Sequence, residues 1–304
     1  MINQKEIKKR IQSMNSLIKT TDAMKMISVV KLRKCKTQKI HINMYFNEIK
    51  NILKNFIITK CQNYKLHFLK NKKYFLFDHN NKNKKTLFII ITSDRGLCGS
   101  FNYSIFNKIN TIIDTKFYKE NKEKCLFFSI GKKGIDFLLK KQYHLYHHTK
   151  LYSNNCNNHN ILYLIQKLIK DFINNQIYAI YIIYNKIQKH IFYKTNYELF
   201  LPIIDSDILQ INEKNLFSIK NDFILECSTK KFLNYLIPNF LKFKLLTRIL
   251  DSYTSEHTSR MISMHKATEN AYKIKEDLIL NYNKERQTAI TKEILEIISG
   301  IDTF

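Results

Sequence analysis

Two parts of the sequence contain residue types that could carry chemistry, and the first is a glycine-containing turn. "SDRGLCGSFN" (residues 93–102) follows a short apolar run and leads into a helical pattern. Backbone N–H groups at the start of a helix attract anions, so a phosphate cradle is one interpretation. Neither G-K-[S/T] nor G-x-G-x-x-G is present, so the residues with which the known phosphate-binding loops hold their ligand are missing. The pattern favours a tight structural turn over nucleotide binding.

The second part is a group of histidines. "HLYHH" (residues 144–148) has Cys156 and His159 nearby, which suggests a zinc site. The spacing matches neither C-x-x-C nor H-E-x-x-H, and the neighbourhood is rich in Asn, so surface histidines are favoured. No Ser-His-Asp, Cys-His or paired-carboxylate arrangement stands out, and G-x-S-x-G is absent. The residues therefore predict no catalytic site, no cofactor and no metal.

The net charge of the chain indicates which kinds of partner it could attract. The 304 residues include 51 Lys and Arg against 25 Asp and Glu, a net charge of +26, which favours a polyanionic surface: nucleic acid, anionic lipid or an acidic protein loop. Only six of the basic residues are Arg, while Lys, Asn and Ile are abundant and Gly and Pro are scarce. That composition resembles AT-rich coding more than a polycation selected for charge. The charge is accordingly a weak indication of nucleic-acid binding.

Cysteine usage and hydropathy suggest a compartment. The six cysteines lie far apart without a C-x-x-C pair, which predicts free thiols in a reducing environment. No apolar run approaches the length of about 18 to 20 residues that spans a bilayer, and the start lacks a signal-peptide pattern. We expect a soluble or peripheral protein, made in a bacterial-type cytoplasm or inside an organelle.

Both ends of the chain have the periodicity of long helices. Near the start, apolar residues recur at spacings of four and three in one seven-residue frame, interrupted only by polar frame positions 21, 25 and 28. This predicts a helix of about 50 residues, or roughly 75 Å, with a coiled-coil seam. A second long helix is expected between Pro238 and Gly300. The two could supply each other's apolar seam as an antiparallel coiled coil. The residues of the first seam are Ile7, Ile11, Met14, Ile18, Leu32, Cys35, Ile42, Phe46, Ile49, Leu53 and Phe56.

The middle of the chain has a different pattern. Short apolar runs at 86–92, 125–130 and 177–184 alternate with helical patterns near 102–119, 133–140 and 160–174. This alternation predicts a small, parallel-rich sheet with helices on its faces, and residues 191–203 are expected to add an edge strand. The predicted fold class is α/β, with a Rossmann-like central domain at 61–235 between coiled-coil helices at 1–60 and 236–304. Segments 61–84 and 144–160 are expected to be loops or insertions.

Several motifs resemble one known family. "IKKRIQSMNSLIKTTDAMKMISVVKLRK" (residues 7–34) is similar to the amino-terminal helix of the gamma subunit of F-type ATP synthases. "SDRGLCGSFN" fills every fixed position of that family's S-D-R-G-L-C-G-x-[FY]-N motif, and "IGKKGIDF" (residues 130–137) resembles its G-[RK]-K-G-x-D-[FY] turn. "SEHTSRMISMHKATENA" and "NYNKERQTAITKEILEIISG" resemble its carboxyl-terminal motifs. All five glycines and five of the six arginines fall at family landmarks.

The resemblance implies a function and a set of partners. A member of this family is the central rotor stalk: it turns within the hexamer of alpha and beta subunits and couples proton flow through the c-ring to ATP synthesis on beta. Its central domain contacts the epsilon subunit and the c-ring. It has no catalytic residues, no cofactor and no nucleic acid, and it meets the membrane only through its partners. The implied location is the cytoplasmic face of a bacterial inner membrane, with the inner face of an organelle's energy-transducing membrane as the alternative.

The resemblance also implies roles for individual residues. Positions that match the family's motifs place a first set in contact with beta: Met24, Lys25, Arg260, Arg286, Gln287 and Thr291. A second set is implied at the foot of the stalk, on the side of the ring and epsilon: Arg95, Gly96 and Gly99. Basic residues of the first helix are expected to face an acidic loop of beta, although a solvated helix face is equally compatible with each: Lys8, Lys9, Arg10, Lys19, Lys25, Lys31 and Arg33.

Two other classes of function stay open at this point. A basic coiled-coil scaffold that binds nucleic acid would explain the charge and the helices but not the landmark glycines. An enzyme ranks last, because no local arrangement of residues supports one.

Overall fold

The computed structural model of the chain describes residues 4–63, 85–115, 122–146, 158–174, 176–188, 193–203 and 228–301. Most of the two expected loop segments, residues 64–84 and 147–157, therefore lies outside the described part. The contacts of the chain form two compact units. One comprises Met1–Lys31 with His257–Phe304, and the other comprises Leu32–Glu256. The predicted domain boundaries near residues 60 and 236 stay predictions.

Five helices and four strands make up the described chain. In chain order they are α1 (Gln4–Asn63), β1 (Lys85–Ile91), α2 (Phe101–Ile113), β2 (Cys125–Ile130), α3 (Lys132–Lys140), α4 (Asn158–Ile173), β3 (Ile177–Ile187), β4 (Tyr193–Leu201) and α5 (Thr229–Ile301). A short 3₁₀ turn, Lys122–Lys124, precedes β2. Within the described residues, no helix combines the length and apolarity needed to cross a bilayer.

The long terminal helices were predicted, but α5 begins earlier than expected. It starts at Thr229, so Pro238 lies inside the helix and does not precede it. A proline inside a helix removes one backbone hydrogen bond and costs about 3 kcal/mol. Here Leu236, Ile237, Phe240 and Leu241 are all buried around it. Burial of each such side chain contributes about 1.5 to 3 kcal/mol, which outweighs the cost and keeps the segment helical.

The central sheet has the strand order β2-β1-β3-β4. Strand β1 pairs in parallel with β2 and with β3, while β4 pairs antiparallel with β3 at the edge. The parallel-rich sheet and the additional edge strand are thus as predicted. The result is a mixed sheet between helical ends.

Each face of the sheet is buried by different helices, because side chains alternate along a strand. Phe88 and Ile90 of β1 belong to a core cluster with residues of α2 and α3. Leu87, Ile89 and Ile91 belong to a second cluster with α4, the first half of α5 and the last part of α1. The sheet is therefore buried on both sides, which explains its continuous apolar runs.

A row of aromatic rings crosses the face covered by α2 and α3. Neighbouring ring centroids lie 5.0 Å apart for Tyr143 and Phe127, 5.3 Å for Phe127 and Phe88, 5.8 Å for Phe88 and Tyr181, and 4.6 Å for Tyr181 and Tyr197. Such pairs add about 0.5 to 1.5 kcal/mol each beyond their buried area. The row helps to set the register of all four strands.

In the unit formed by the two chain ends, α1 and α5 contact each other antiparallel. The Gln4 side chain donates a hydrogen bond to the Glu285 carbonyl at 3.1 Å, and the Thr268 hydroxyl donates one to the Thr21 hydroxyl at 2.8 Å. The same number of residues separates Gln4 from Thr21 as separates Thr268 from Glu285, which indicates one constant register. The buried residues of this unit on α1 include Ile7, Ile18 and Ser28; those on α5 include Met264, Thr268 and Ala271.

Candidate interaction surfaces

The turn at residues 93–102 is a closed structure held by its own side chains. Asn102 accepts a hydrogen bond from the Ser93 N–H at 3.1 Å and donates one to the Ser93 hydroxyl at 2.7 Å. The Ser93 hydroxyl in turn donates to the Arg95 carbonyl at 2.8 Å. Asn102 is the second residue of α2, so these bonds tie the end of β1 to the start of that helix. This arrangement agrees with a structural turn.

The second glycine motif packs directly against the end of β1. The Gly134 N–H donates to the Thr92 hydroxyl at 2.9 Å. Gly131 has a φ of 113°, and a Cβ there would lie 2.2 Å from the Thr92 carbonyl oxygen. Only glycine tolerates both that dihedral angle and that approach. The two motifs, which lie far apart in the sequence, therefore meet at the carboxyl ends of β1 and β2.

The first turn presents an apolar and a basic side chain to the surface. Leu97 is exposed and has a φ of 62°, an unusual conformation for a residue with a branched side chain. Arg95 is exposed beside it. Gly99 has a φ of 58°, which explains a glycine there, whereas a Cβ at Gly96 would have open space and nothing in the structure explains that glycine. The three residues assigned to the foot, Arg95, Gly96 and Gly99, thus lie together on one turn.

Three of the residues predicted to contact beta, Met24, Lys25 and Arg260, lie in the unit formed by Met1–Lys31 and His257–Phe304. Met24 is exposed, and Lys25 is partly buried with its amine 3.5 Å from Asp22. In the register that pairs Thr21 with Thr268, Met24 lies about level with His265 of α5. Arg260 lies a little more than one helical turn further along. Met24, Lys25 and Arg260 are therefore near one another along the helix pair.

Arg260 lies next to a histidine with an unusual environment. Its guanidinium is 3.3 Å from Nδ1 of His257. Burial, followed by the positive charges of Arg260 and Lys31, lowers the pKa of His257 to about 4. The imidazole is therefore neutral at physiological pH and adds no positive charge beside Arg260.

The remaining three predicted contacts lie at the far end of α5. Arg286, Gln287 and Thr291 are exposed, and the Thr291 hydroxyl bonds back to the Gln287 carbonyl at 2.9 Å. Arg286 is about 39 Å along the helix from Arg260 at 1.5 Å per residue. The predicted contacts on α5 therefore form two separate groups, with Arg260 in one and Arg286, Gln287 and Thr291 in the other.

The end of α5 extends past the described start of α1. Gln4 reaches the backbone of Glu285, and every residue from Arg286 to residue 299 except Ala289 is exposed. Four isoleucines form a stripe at helical spacing along this segment: Ile290, Ile294, Ile297 and Ile298. We call residues 286–301 the α5 extension. An apolar stripe of this kind is typical of a surface that another protein covers.

Among the described residues, no group of three or more His, Cys, Asp or Glu side chains could hold a metal ion. Of the histidine cluster, His144 is exposed, and its carbonyl accepts a hydrogen bond from the Phe127 N–H at 2.9 Å. His147, His148 and Cys156 lie outside the described residues, as does the side chain of His159. The side chains of Cys35, Cys98 and Cys125 are buried and are not in disulfides.

Sequence reasoning missed a network of buried and partly buried charges in the unit Leu32–Glu256. It joins Glu198 of β4 to Arg248 of α5, and Asp251 of α5 to Lys39 of α1. One residue could have indicated this network from the sequence. Arg248 is the only one of the six arginines that lies outside the family motifs.

A family model described as ATP synthase matches residues 3–304. The ATP synthase gamma chain of Flavobacterium johnsoniae is 34% identical over 302 residues, covering 99% of both chains. The chain belongs to the ATP synthase gamma chain family. A further member, from Buchnera aphidicola subsp. Schlechtendalia chinensis, is 31% identical over 303 residues, covering 99% of this chain and 98% of that one.

Solved structures agree with this family in fold. The rotor of the Euglena gracilis mitochondrial ATP synthase has a TM-score of 0.59 at 15% identity, covering 94% of this chain and 98% of that one. The central stalk and c-ring structure of the Tetrahymena thermophila enzyme has a TM-score of 0.53 at 22% identity, covering 82% and 99%. At these identities the likeness concerns the fold of this gamma-family chain.

Proposed function

We propose that this chain is the central rotor stalk of an F-type ATP synthase. It turns within a hexamer of alpha and beta subunits and couples proton movement through a c-ring to ATP synthesis on beta. In this proposal the terminal helices form an antiparallel coiled coil inside the hexamer, and the Rossmann-like body binds the epsilon subunit and the c-ring. The chain itself carries no catalytic residue. It is a peripheral subunit on the cytoplasmic face of a bacterial inner membrane, or on the inner face of an organelle membrane.

The α5 extension is the observation that carries this proposal. A helix of this length with exposed isoleucines on one side is poorly stable alone in water, because most helix stability comes from packing of an apolar face. A ring of surrounding subunits would cover the stripe at every angle of rotation. The same extension carries Arg286, Gln287 and Thr291, so polar contacts and apolar packing would act on the same partner.

Charge and exposed apolar residues on α1 also support an enclosing partner. Leu17, Met24 and Ile27 are exposed and recur at helical spacing, while Lys19 and Lys31 flank them. An acidic loop of beta would satisfy the lysines and cover the apolar side chains together. The shaft would then act by contacting two conformations of beta unequally, which is the physical requirement for shifting a conformational equilibrium.

Co-purification tests the assignment first. The tagged chain is co-expressed with the alpha and beta subunits of its host, and the stoichiometry and ATPase activity of the product are measured. A complex whose hydrolysis depends on assembly supports the proposal. Purification of the chain alone, or with nucleic acid that salt removes, contradicts it and favours the basic scaffold.

Met24→Lys tests the coupling contact within that complex. A cation at a site close to Lys25 and the proposed beta loop should change the energy of contact in the two beta conformations. We expect ATP-driven proton pumping in membrane vesicles to fall much more than ATP hydrolysis. Met44→Lys, a similarly exposed methionine further along α1, is the matched control and should leave both intact. Equal loss of pumping and hydrolysis in Met24→Lys would contradict the coupling role.

A further inference from the structure

Five charged side chains form a network inside the unit Leu32–Glu256. They are Lys39 of α1, Glu198 of β4, and Lys244, Arg248 and Asp251 of α5. The side chains of Asp251 and Lys244 are only 2% and 3% exposed. Burying a charged group costs free energy unless the group is paired, so each of these side chains needs a partner nearby.

Glu198 is bound by a forked contact from α5. Arg248 Nη2 donates to Oε1 at 2.8 Å, and Arg248 Nε lies 2.7 Å from Oε2. The Tyr184 hydroxyl also donates to Oε2 at 3.1 Å, and the guanidinium lies over the Tyr184 ring, 5.4 Å from its centre. Burial alone would raise the pKa of Glu198, but Arg248 and Lys244 outweigh it and hold that pKa below its usual range. The carboxylate is therefore ionised and joined to α5 through two atoms.

Lys244 and Asp251 extend the network in two directions. Lys244 donates to the Leu199 carbonyl at 3.1 Å, which is a second link from α5 to β4. Asp251 lies 2.5 Å from the Lys39 amine and 3.7 Å from Arg248 Nη1. A continuous chain of contacts thus runs from α1 through α5 to the edge strand of the sheet: Lys39, Asp251, Arg248 and Glu198.

Burial of apolar surface does not by itself select one rotation of α5. The helix is apolar around much of its circumference here, with buried side chains that include Leu245, Leu246, Ile249 and Leu250. Hydrophobic burial is non-directional, and the fit of the side chains in the core is what resists rotation. The hydrogen bond from Arg248 Nη2 to Glu198 is directional, and a slide of one helical turn, about 5.4 Å, would break it together with the close Nε–Oε2 ion contact.

The net stability gained from such a network is expected to be small. Removing charges from water costs about as much as their attraction returns, and apolar replacements of similar volume are often neutral or stabilising. Such a network also supplies directional contacts, which apolar residues of similar volume lack.

We propose that Lys39, Asp251, Arg248 and Glu198 form a torsional lock that fixes α1 and α5 to the sheet against rotation. The inference rests on the proposed rotor function, because a stalk that carries torque from its body into its helices needs a stiff joint between them. Both helices continue beyond the network without a break, towards Gln4 and Ile301. Torque applied to the sheet would enter both helices through this chain of charges.

Paired apolar replacements test the lock. Arg248→Met with Glu198→Leu removes the fork, and Lys244→Met in the same variant removes the buried ammonium that would otherwise lose its carboxylate. Asp251 keeps Lys39, so the chain should still fold. A second variant, Lys39→Met with Asp251→Leu, removes the charged contact between α1 and α5. The matched control is His265→Gln with Glu269→Gln, which removes an exposed pair on the same helix.

The first measurement uses spin labels on the purified full-length chain. Labels replace Tyr235 of α5 and Lys194 of β4, both exposed. Loss of the directional contact should broaden the distance distribution between the labels about twofold in the Arg248–Glu198 variant, with no broadening in the control. Distributions as narrow as in the unsubstituted chain would overturn the lock, and this result does not depend on the rotor function.

The second measurement uses the assembled complex. A bead on the central body is followed during pauses in ATP-driven rotation, and the width of its angular fluctuation gives the torsional stiffness. We expect stiffness to fall by about half in both lock variants while ATP hydrolysis stays unchanged. Unchanged stiffness would overturn the lock. Failure of the unsubstituted chain to assemble or rotate would instead refute the proposed rotor function.

Discussion

Lowering the pH should destabilise the folded chain through His257. The imidazole is partly buried, with Arg260 at 3.3 Å and Lys31 also near enough to disfavour its charged form. Burial and these two cations lower the pKa of His257 from 6.5 to about 4. An unfolded chain releases the side chain from all three effects. Between these two values the unfolded state therefore binds more protons than the folded state.

The sign and size of the effect follow from that difference. The neutral imidazole's contribution to stability is fully present above about pH 6.5 and is lost as the pH falls towards 4. The shift of about 2.5 units corresponds to an upper limit of about 3 kcal/mol at about 1.36 kcal/mol per unit. Because part of the ring still contacts solvent and salt screens the two cations, we expect a loss of about 1 to 2 kcal/mol.

Urea unfolding of the purified chain between about pH 5 and 7 measures this loss. Most carboxylates titrate below this range and therefore contribute little to the change. The free energy of unfolding should fall with decreasing pH in the unsubstituted chain and stay nearly level in His257→Gln. His265→Gln, an exposed histidine two turns along the same helix, is the control and should keep the pH dependence. An NMR titration in which the His257 ring of the folded chain protonates near pH 6.5 would refute the reasoning.

Three further predictions concern packing and thiol reactivity in the unit Leu32–Glu256. Gly134→Ala places a Cβ 2.1 Å from the Ser129 hydroxyl and 2.7 Å from the Thr92 hydroxyl, which should cost about 1 to 3 kcal/mol in urea unfolding; the cost should be smaller when it is measured in a Ser129→Ala background, and an equal cost there would contradict the clash with Ser129. Leu53→Ala removes a fully buried side chain and should cost about 2 to 5 kcal/mol, whereas an unchanged melting temperature would place Leu53 outside the core. Burial raises the pKa of the Cys125 thiol from 9.0 to about 11, so iodoacetamide at pH 8 should modify it about 100-fold more slowly than in the urea-unfolded chain; equal rates would exclude this effect.

Periodicity predicted the helices and strands because burial on one face leaves a repeat in the sequence. Periodicity was less reliable at Pro238, where the rule that proline ends a helix conflicts with the burial of the apolar residues around it. Apolar burial outweighs the lost hydrogen bond there, and α5 starts at Thr229. The glycine motifs indicated turns at residues 93–102 and 130–137. Their contact through Thr92 could not be read from either motif alone, because it depends on β1 and β2 ending side by side.

The sequence by itself determined the family, the long terminal helices, the parallel-rich sheet and the positions of the motif residues. Those features depend on neighbouring residues or on short fixed spacings. The tertiary structure alone decided which charges pair, as with Arg248 and Glu198, and which histidine loses its charge. It also decided where α5 runs past the described start of α1. These outcomes depend on distances between residues far apart in the chain, and composition and local spacing do not contain those distances.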